Sequence, residues 1–256
     1  MQRELDRIER ALDAAEEVLA GFDPGRVEAM KKAGGDPVTA ADLAIDGVLK
    51  EILPESGEGW LSEETVDDPA RLAAERVWIV DPLDGTKEFV EGLPEFCVSI
   101  ALVIGGRPAA GGISNPVAGV RVVGAAGHGV RLNGASVTAE FVGPLDGARV
   151  LASRSEVGRG QWAGAADLGV EVVPMGSVAY KMARVSAGLD AATWTLVPKH
   201  EWDVAGGAAL LAAGGGTTVG MDGRPLAFNQ PKPWYPGAIA VPPGFEQHVP
   251  TVLGLR

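Results

Sequence analysis

The chain has 256 residues, 46% hydrophobic and 22% charged, and its 34 acidic against 22 basic side chains leave a net charge of −12. That length and balance support a sizeable core and exclude long disorder. The acidity argues against a nucleic acid polymer or an anionic membrane as partner, because both need a basic face; an anionic small substrate stays open, since bound cations can reverse a local field.

Leu5, Ile8, Leu12, Ala15 and Leu19 recur at helical spacing, behind a charged start that lacks the apolar centre of a signal peptide. No segment approaches the ~18 uninterrupted apolar residues of a membrane span. The single cysteine, Cys97, excludes an intrachain disulfide. A cytoplasmic chain is the expectation. Gly21 and Pro24 end the first helix, and residues 31–37 read as a Gly-containing loop. Thr39-Ala40-Ala41-Asp42 begins a second helix, with Ile45, Val48, Leu49 and Ile52 on its apolar face. Residues 60–64 read as a short strand ending in acids. Val77-Trp78-Ile79-Val80 reads as a buried strand, followed by Asp81 and Asp84 on a Pro-bearing turn and by Gly85-Thr86 opening a helix.

The runs 98–104, 109–113, 120–125 and 130–132, broken by Gly, Pro and Asn, predict an antiparallel meander. Past Pro144 the texture alternates: strand 150–152, short helix 161–168, strand 170–173, helix 177–188, strand 191–197, helix 203–213, strand 217–219. The fold class expected is an α+β or α/β layered sandwich. A boundary near 143–147 would give an N-terminal α+β domain, residues 1–144, and a C-terminal α/β domain, residues 145–256.

Five acids lie at helix starts or strand ends: Asp42, Glu63, Asp81, Asp84 and Asp203. Layered folds collect ligands there, and hard divalent cations want several carboxylate oxygens. Each acid also has a plain structural use. Asp81 and Asp84 suit a turn, Asp42 and Asp203 suit helix N-termini, and Glu63 and Glu64 suit a solvated surface. Gly85 lets backbone approach a ligand, and Thr86 either hydrogen-bonds a water or caps the helix. Lys87 either adds positive charge near a substrate or is merely solvated. His128, His200 and His248 lack a catalytic motif, so ordinary structural roles are expected.

Asp81-Pro82-Leu83-Asp84-Gly85-Thr86 resembles the signature of the inositol monophosphatase superfamily. Asp36 to Asp42, Leu61-Ser62-Glu63-Glu64 and Glu201-Trp202-Asp203-Val204-Ala205-Gly206 resemble its other motifs, in order. Lys87-Glu88-Phe89, Ser153-Arg154-Ser155, Gly176-Ser177 with Lys181, and 222–226 with Asn229-Gln230 are most similar to the CysQ-type 3'(2'),5'-bisphosphate nucleotidases. Lys199-His200-Glu201 departs from that pattern. The resemblance implies an inositol monophosphatase/fructose-1,6-bisphosphatase-like fold with alternating α and β layers, the first domain carrying most metal ligands and the second completing the site. It implies two or three Mg²⁺. Glu63, Asp81 and the Leu83 carbonyl would hold the first, and Asp81, Asp84 and Asp203 the second. Asp42 would bond Thr86, Thr86 and Glu63 would orient a metal-activated water, and the Gly85 and Thr86 amides would hold phosphate. Lys87, Ser153, Arg154, Ser177, Lys181, Glu201 and Asp203 are implied on the substrate side.

A lithium-sensitive phosphate monoester hydrolase removing the 3'-phosphate of 3'-phosphoadenosine 5'-phosphate is therefore expected, with AMP as product. An inositol monophosphatase or broad sugar-phosphate phosphatase is the alternative. A metal-binding regulatory protein is a third reading, opposed by the full set of site residues. A homodimer stays open, since six Trp and the first helix serve either a dimer or the core.

Overall fold

A computed structural model describes residues 1–31 and 37–254. Asp36 and the glycine-containing stretch 32–36 lie outside the described residues. The chain enters as α1 (Gln2–Leu19), which buries Leu5, Ile8, Ala11, Leu12, Ala15 and Leu19 on one face. The short strands β1 (Ala29–Lys31) and β2 (Pro37–Thr39) pair antiparallel and lead into α2 (Ala40–Ile52). Next come β3 (Gly59–Ser62), a 3₁₀ turn at Pro69–Ala73, β4 (Arg76–Asp84) and α3 (Thr86–Glu91). The predicted meander is present as β5 (Cys97–Ile104), β6 (Arg107–Asn115), β7 (Val120–Ala125) and β8 (Gly129–Leu132), and it adds β9 (Ala135–Val137). These strands form one seven-stranded sheet in chain order from β3 to β9. β3 runs parallel to β4, and each later neighbour is antiparallel.

The second half supplies β10 (Arg149–Ser153), α4 (Arg154–Gly158), β11 (Glu171–Met175), α5 (Val178–Ser186), β12 (Ala192–Thr195) and β13 (Lys199–His200). It continues with α6 (Glu201–Ala213), β14 (Thr217–Gly220), β15 (Trp234–Tyr235), β16 (Ala238–Val241) and α7 (Val249–Leu253). Five of the strands make a mixed sheet ordered β11-β10-β12-β16-β14, and β13 pairs with β15 apart from it. The stretch 143–147 falls between the two sheets in sequence. The helix expected at 161–168 is a 3₁₀ segment, Ala163–Leu168.

Packing explains why β4 reads as an unbroken apolar run. Trp78 and Val80 join the cluster under α1 and α2. Val77 and Ile79 point the other way, into the cluster under α5 and α6. A strand covered on both faces shows no polar alternation. β16 behaves alike: Ala238 and Ala240 face α5 and α6, while Ile239 and Val241 pack with Trp194, Phe245, Val249 and Val252. Among the described residues the layers therefore run α1/α2, seven-stranded sheet, α5/α6, five-stranded sheet, α7. The helix α6 lies close on the larger sheet, where a Cβ placed on Gly111 would come within 2.7 Å of the Gly206 carbonyl oxygen. That contact fixes the helix whose first turn carries Asp203. No helix among the described residues is long and apolar enough to cross a membrane.

Candidate active site

The site forms where β4 ends. In a regular strand, residues three apart face opposite sides. Here Asp81 lies opposite Ser99 and Asp84 opposite Cys97, three residues against two, so β4 carries a bulge. The extra residue turns both carboxylates toward the same cavity, which both line. Gly85 follows with φ +99°, and a Cβ there would sit 2.7 Å from the Glu95 carbonyl oxygen, so glycine is required. The chain then starts α3 at Thr86, leaving first-turn N–H groups without intrahelical partners beside the acids.

Glu63, Asp81 and Asp203 converge, with ligand oxygens all within 4.8 Å of one another. Asp46 helps to place Glu63, since it accepts from Ser62 Oγ and, at 2.6 Å, from Thr65 Oγ1. Asp203 is fixed by its own helix, where Oδ2 accepts from His200 N at 2.9 Å. Asp81 is 2% exposed, and its carboxyl is raised well above the usual range, first by burial and then by the charges of Glu63, Asp84, Asp203 and Asp42. Burial, opposed by Lys199 and assisted by Asp84 and Glu63, pushes Asp203 up to about 7. Hard oxygen donors under mutual repulsion are the donor set that a divalent cation relieves. The residues thus fit a divalent cation; the Leu83 carbonyl oxygen lies 3.0 Å from Thr86 Oγ1.

Asp84 lies on the cavity wall outside that group of three. Its Oδ2 accepts from Ser177 Oγ at 2.7 Å and from Ala179 N at 2.5 Å, so it ties the end of β4 to the start of α5. Asp42 is buried behind the wall. One oxygen accepts from the Thr39 N–H and hydroxyl at 2.8 and 2.6 Å, closing the N-terminus of α2. The other accepts from Thr86 Oγ1 at 2.8 Å. The structural and functional readings of Asp42 therefore use different oxygens of one carboxylate.

These groups border a cavity of about 640 Å³. Lys87, Ser153, Arg154, Ser177 and Lys181 all line it. Ser177 commits its hydroxyl to Asp84 and to the Tyr180 amide. Lys181 is 1% exposed and donates to the Ser177 carbonyl at 2.8 Å; burial pulls its ammonium down to about 8. Arg154 is paired with Glu95, which also accepts the Gly176 amide. Glu201, expected on the substrate side, is not among the residues that line the cavity. It is fully buried, and its carboxylate accepts from the Asn229 and Gln230 amides at 2.7 and 2.8 Å. Glu88, Lys199 and Trp202, which the sequence singled out only within motifs and without a contact role, also line the wall. His200, expected in an ordinary structural role, is a lining residue whose ring stacks on Trp202, centroids 4.4 Å apart. Adjacency to the Trp-Asp pair at a helix start was the available signal.

The family model for the inositol monophosphatase family matches residues 1–243. A curated relative, the 3'(2'),5'-bisphosphate nucleotidase CysQ of Escherichia coli O157:H7, is 32% identical over 241 residues, covering 88% of this chain and 94% of the relative. Inositol monophosphatase 3 of Solanum lycopersicum is 33% identical over 224 residues, covering 82% of each chain. Among solved structures, CysQ from Bacteroides thetaiotaomicron superposes with a TM-score of 0.78 at 29% identity, covering 94% of this chain and 98% of the other. A carboxylate cluster built on a bulged strand end thus sits within a chain that matches these proteins along nearly its whole length, and the protein belongs to the inositol monophosphatase family of phosphatases.

Proposed function

We propose that this phosphatase removes the 3'-phosphate of 3'-phosphoadenosine 5'-phosphate, giving AMP and inorganic phosphate. Relatives of both the nucleotidase and the inositol monophosphatase kinds match at the same level, so the choice rests on the cavity. Its wall carries Lys87, Arg154 and Lys199 in addition to the acids, in a chain whose net charge is −12. Arg154 is held by Glu95 and Lys87 stands 4.0 Å from Glu91, and a polyol carrying one phosphate brings no second anion to these cations once that phosphate lies at the metal centre. A substrate with a second phosphate does, and charge-assisted bonds to it supply both affinity and orientation.

In this reading Glu63, Asp81, Asp84, Asp203 and the Leu83 carbonyl hold two or three Mg²⁺. The bound cations would lower the pKa of a water and offset charge on the phosphoryl oxygens. The residues do the placing. Thr86 gives its only hydroxyl hydrogen to Asp42, which leaves its lone pairs to accept from the attacking water. Glu63 would accept a hydrogen bond from the same water. The Gly85 and Thr86 amides would donate to the phosphate. No side chain is required to form a covalent intermediate.

Arg154→Ala tests the substrate reading. The KM for 3'-phosphoadenosine 5'-phosphate should rise about tenfold, since a hydrogen bond to a charged group contributes roughly 1.5–3 kcal/mol. The kcat/KM for inositol 1-phosphate should change less than twofold. Equal losses on the two substrates would remove the second-phosphate reading.

A further inference from the structure

The Asn229-Gln230 pair has no part in the chemistry above, yet it sits where three segments meet. Asn229 holds φ +59°, a left-handed conformation that asparagine accepts more readily than most residues. In this turn the amides of Asn229 and Gln230 both donate to Glu201, to Oε2 at 2.7 Å and to Oε1 at 2.8 Å. Arg71, its side chain 1% exposed, grips the same turn from the other side. Its Nη1 donates to Asn229 Oδ1 at 2.7 Å and its Nη2 to the Gln230 carbonyl at 3.1 Å. Asn229 Nδ2 returns a bond to the Arg71 carbonyl at 3.1 Å. Arg71 is itself held by Asp67, through Nε at 2.6 Å and Nη2 at 2.9 Å.

An unbroken polar chain therefore runs Asp67–Arg71–Asn229/Gln230–Glu201. Its two ends stand next to the carboxylate cluster in sequence, Asp67 four residues after Glu63 and Glu201 two residues before Asp203. Glu63 follows the edge strand of the larger sheet, and Asp203 rides on the first turn of α6. These acids come from separate elements, yet their ligand oxygens lie within 4.8 Å of each other. Carboxylates held that close repel when ionised, so their spacing while no cation is bound depends on how their elements are held. The α6 end has a further anchor in the bond from Glu201 N to the Pro233 carbonyl at 2.9 Å.

We infer that Glu201 is a positioning residue, held by the Asn229-Gln230 turn and through it by Arg71, and that this chain of contacts sets the spacing of Glu63 and Asp203 for a divalent cation. The inference rests on the metal reading of the site. Groups that orient ligands without touching the ion change metal affinity by about 10–100-fold when removed.

Mg²⁺ titration of the full chain by calorimetry gives a readout independent of turnover. Glu201→Gln keeps the size of the side chain but turns an N–H donor toward an amide. It should weaken Mg²⁺ binding about tenfold or more, while kcat at saturating Mg²⁺ falls less than threefold. Asn229→Gly keeps the turn and both amides but deletes the side-chain bonds to Arg71, and it should weaken binding several-fold in the same direction. Where Glu201→Gln fails to fold, Asn229→Gly carries the test. Unchanged Mg²⁺ affinity in a folded variant, with only the melting temperature lowered, would overturn the positioning role. So would a large loss of kcat with Mg²⁺ affinity intact, which would return Glu201 to the substrate. No Mg²⁺ binding by the unaltered chain would remove the metal reading first and this inference with it.

Discussion

Asp81→Asn should lower turnover by roughly 10³-fold or more and, in the same protein, raise the melting temperature of the metal-free chain. The first effect follows from the loss of a central ligand, because several kcal/mol of charge stabilisation corresponds to about three decades in rate. The second follows from burial. Asp81 is enclosed and faces Glu63, Asp84 and Asp203, so its carboxyl is raised well above the usual range. A group whose folded pKa exceeds its unfolded one holds its proton more tightly when folded. The metal-free protein therefore loses stability as pH rises from about 4, the ordinary Asp value, through the raised folded value. Asp203, pushed up to about 7, acts in the same direction. Asparagine removes the Asp81 share, so the gain is largest near neutral pH and vanishes below about pH 4. Phosphate-release assays and thermal melts in chelator at acidic and neutral pH check both halves. A metal-free variant that melts lower at neutral pH would contradict the buried repulsion, and near-normal turnover would take Asp81 out of the site.

Thr86→Val should reduce kcat by about 10²–10³-fold, the scale on which a positioned proton-transfer partner acts, while Mg²⁺ affinity moves only a few-fold. The hydroxyl has one hydrogen and two candidate acceptors, Asp42 Oδ1 at 2.8 Å and the Leu83 carbonyl at 3.0 Å. Given to the charged carboxylate, it leaves the oxygen free to accept from water. Valine keeps the volume and deletes both functions. Thr86→Ser restores the hydroxyl and should recover most of the rate. Calorimetry separates the outcomes: parallel loss of rate and of Mg²⁺ binding would make Thr86 part of the metal shell instead.

Much of this site is readable from residue types and order, because strand ends and helix starts announce themselves locally. Asp81, Asp84 and Gly85 follow an apolar run, and Thr39 and Asp42 carry their capping pattern within four residues. The bulge that brings Asp81 and Asp84 to one face is different. It depends on pairing with Ser99 and Cys97, and no local spacing encodes it. The partners of Glu201 are hidden for a related reason: adjacency to the Trp-Asp pair suggests the cavity, while Asn229 and Gln230, whose amides it accepts, lie nearly thirty residues on. The strand β16 also escaped, since four apolar residues are too few to show a period. Its place is set by pairing with β12 and β14.

The central claim is the substrate, and one side-by-side assay tests it most directly. Initial rates of phosphate release with Mg²⁺ are measured on 3'-phosphoadenosine 5'-phosphate, inositol 1-phosphate and fructose 1,6-bisphosphate. The nucleotide should show a kcat/KM at least about tenfold above the other two, equivalent to about 1.4 kcal/mol in the transition state. Faster hydrolysis of inositol 1-phosphate than of the nucleotide would contradict the account.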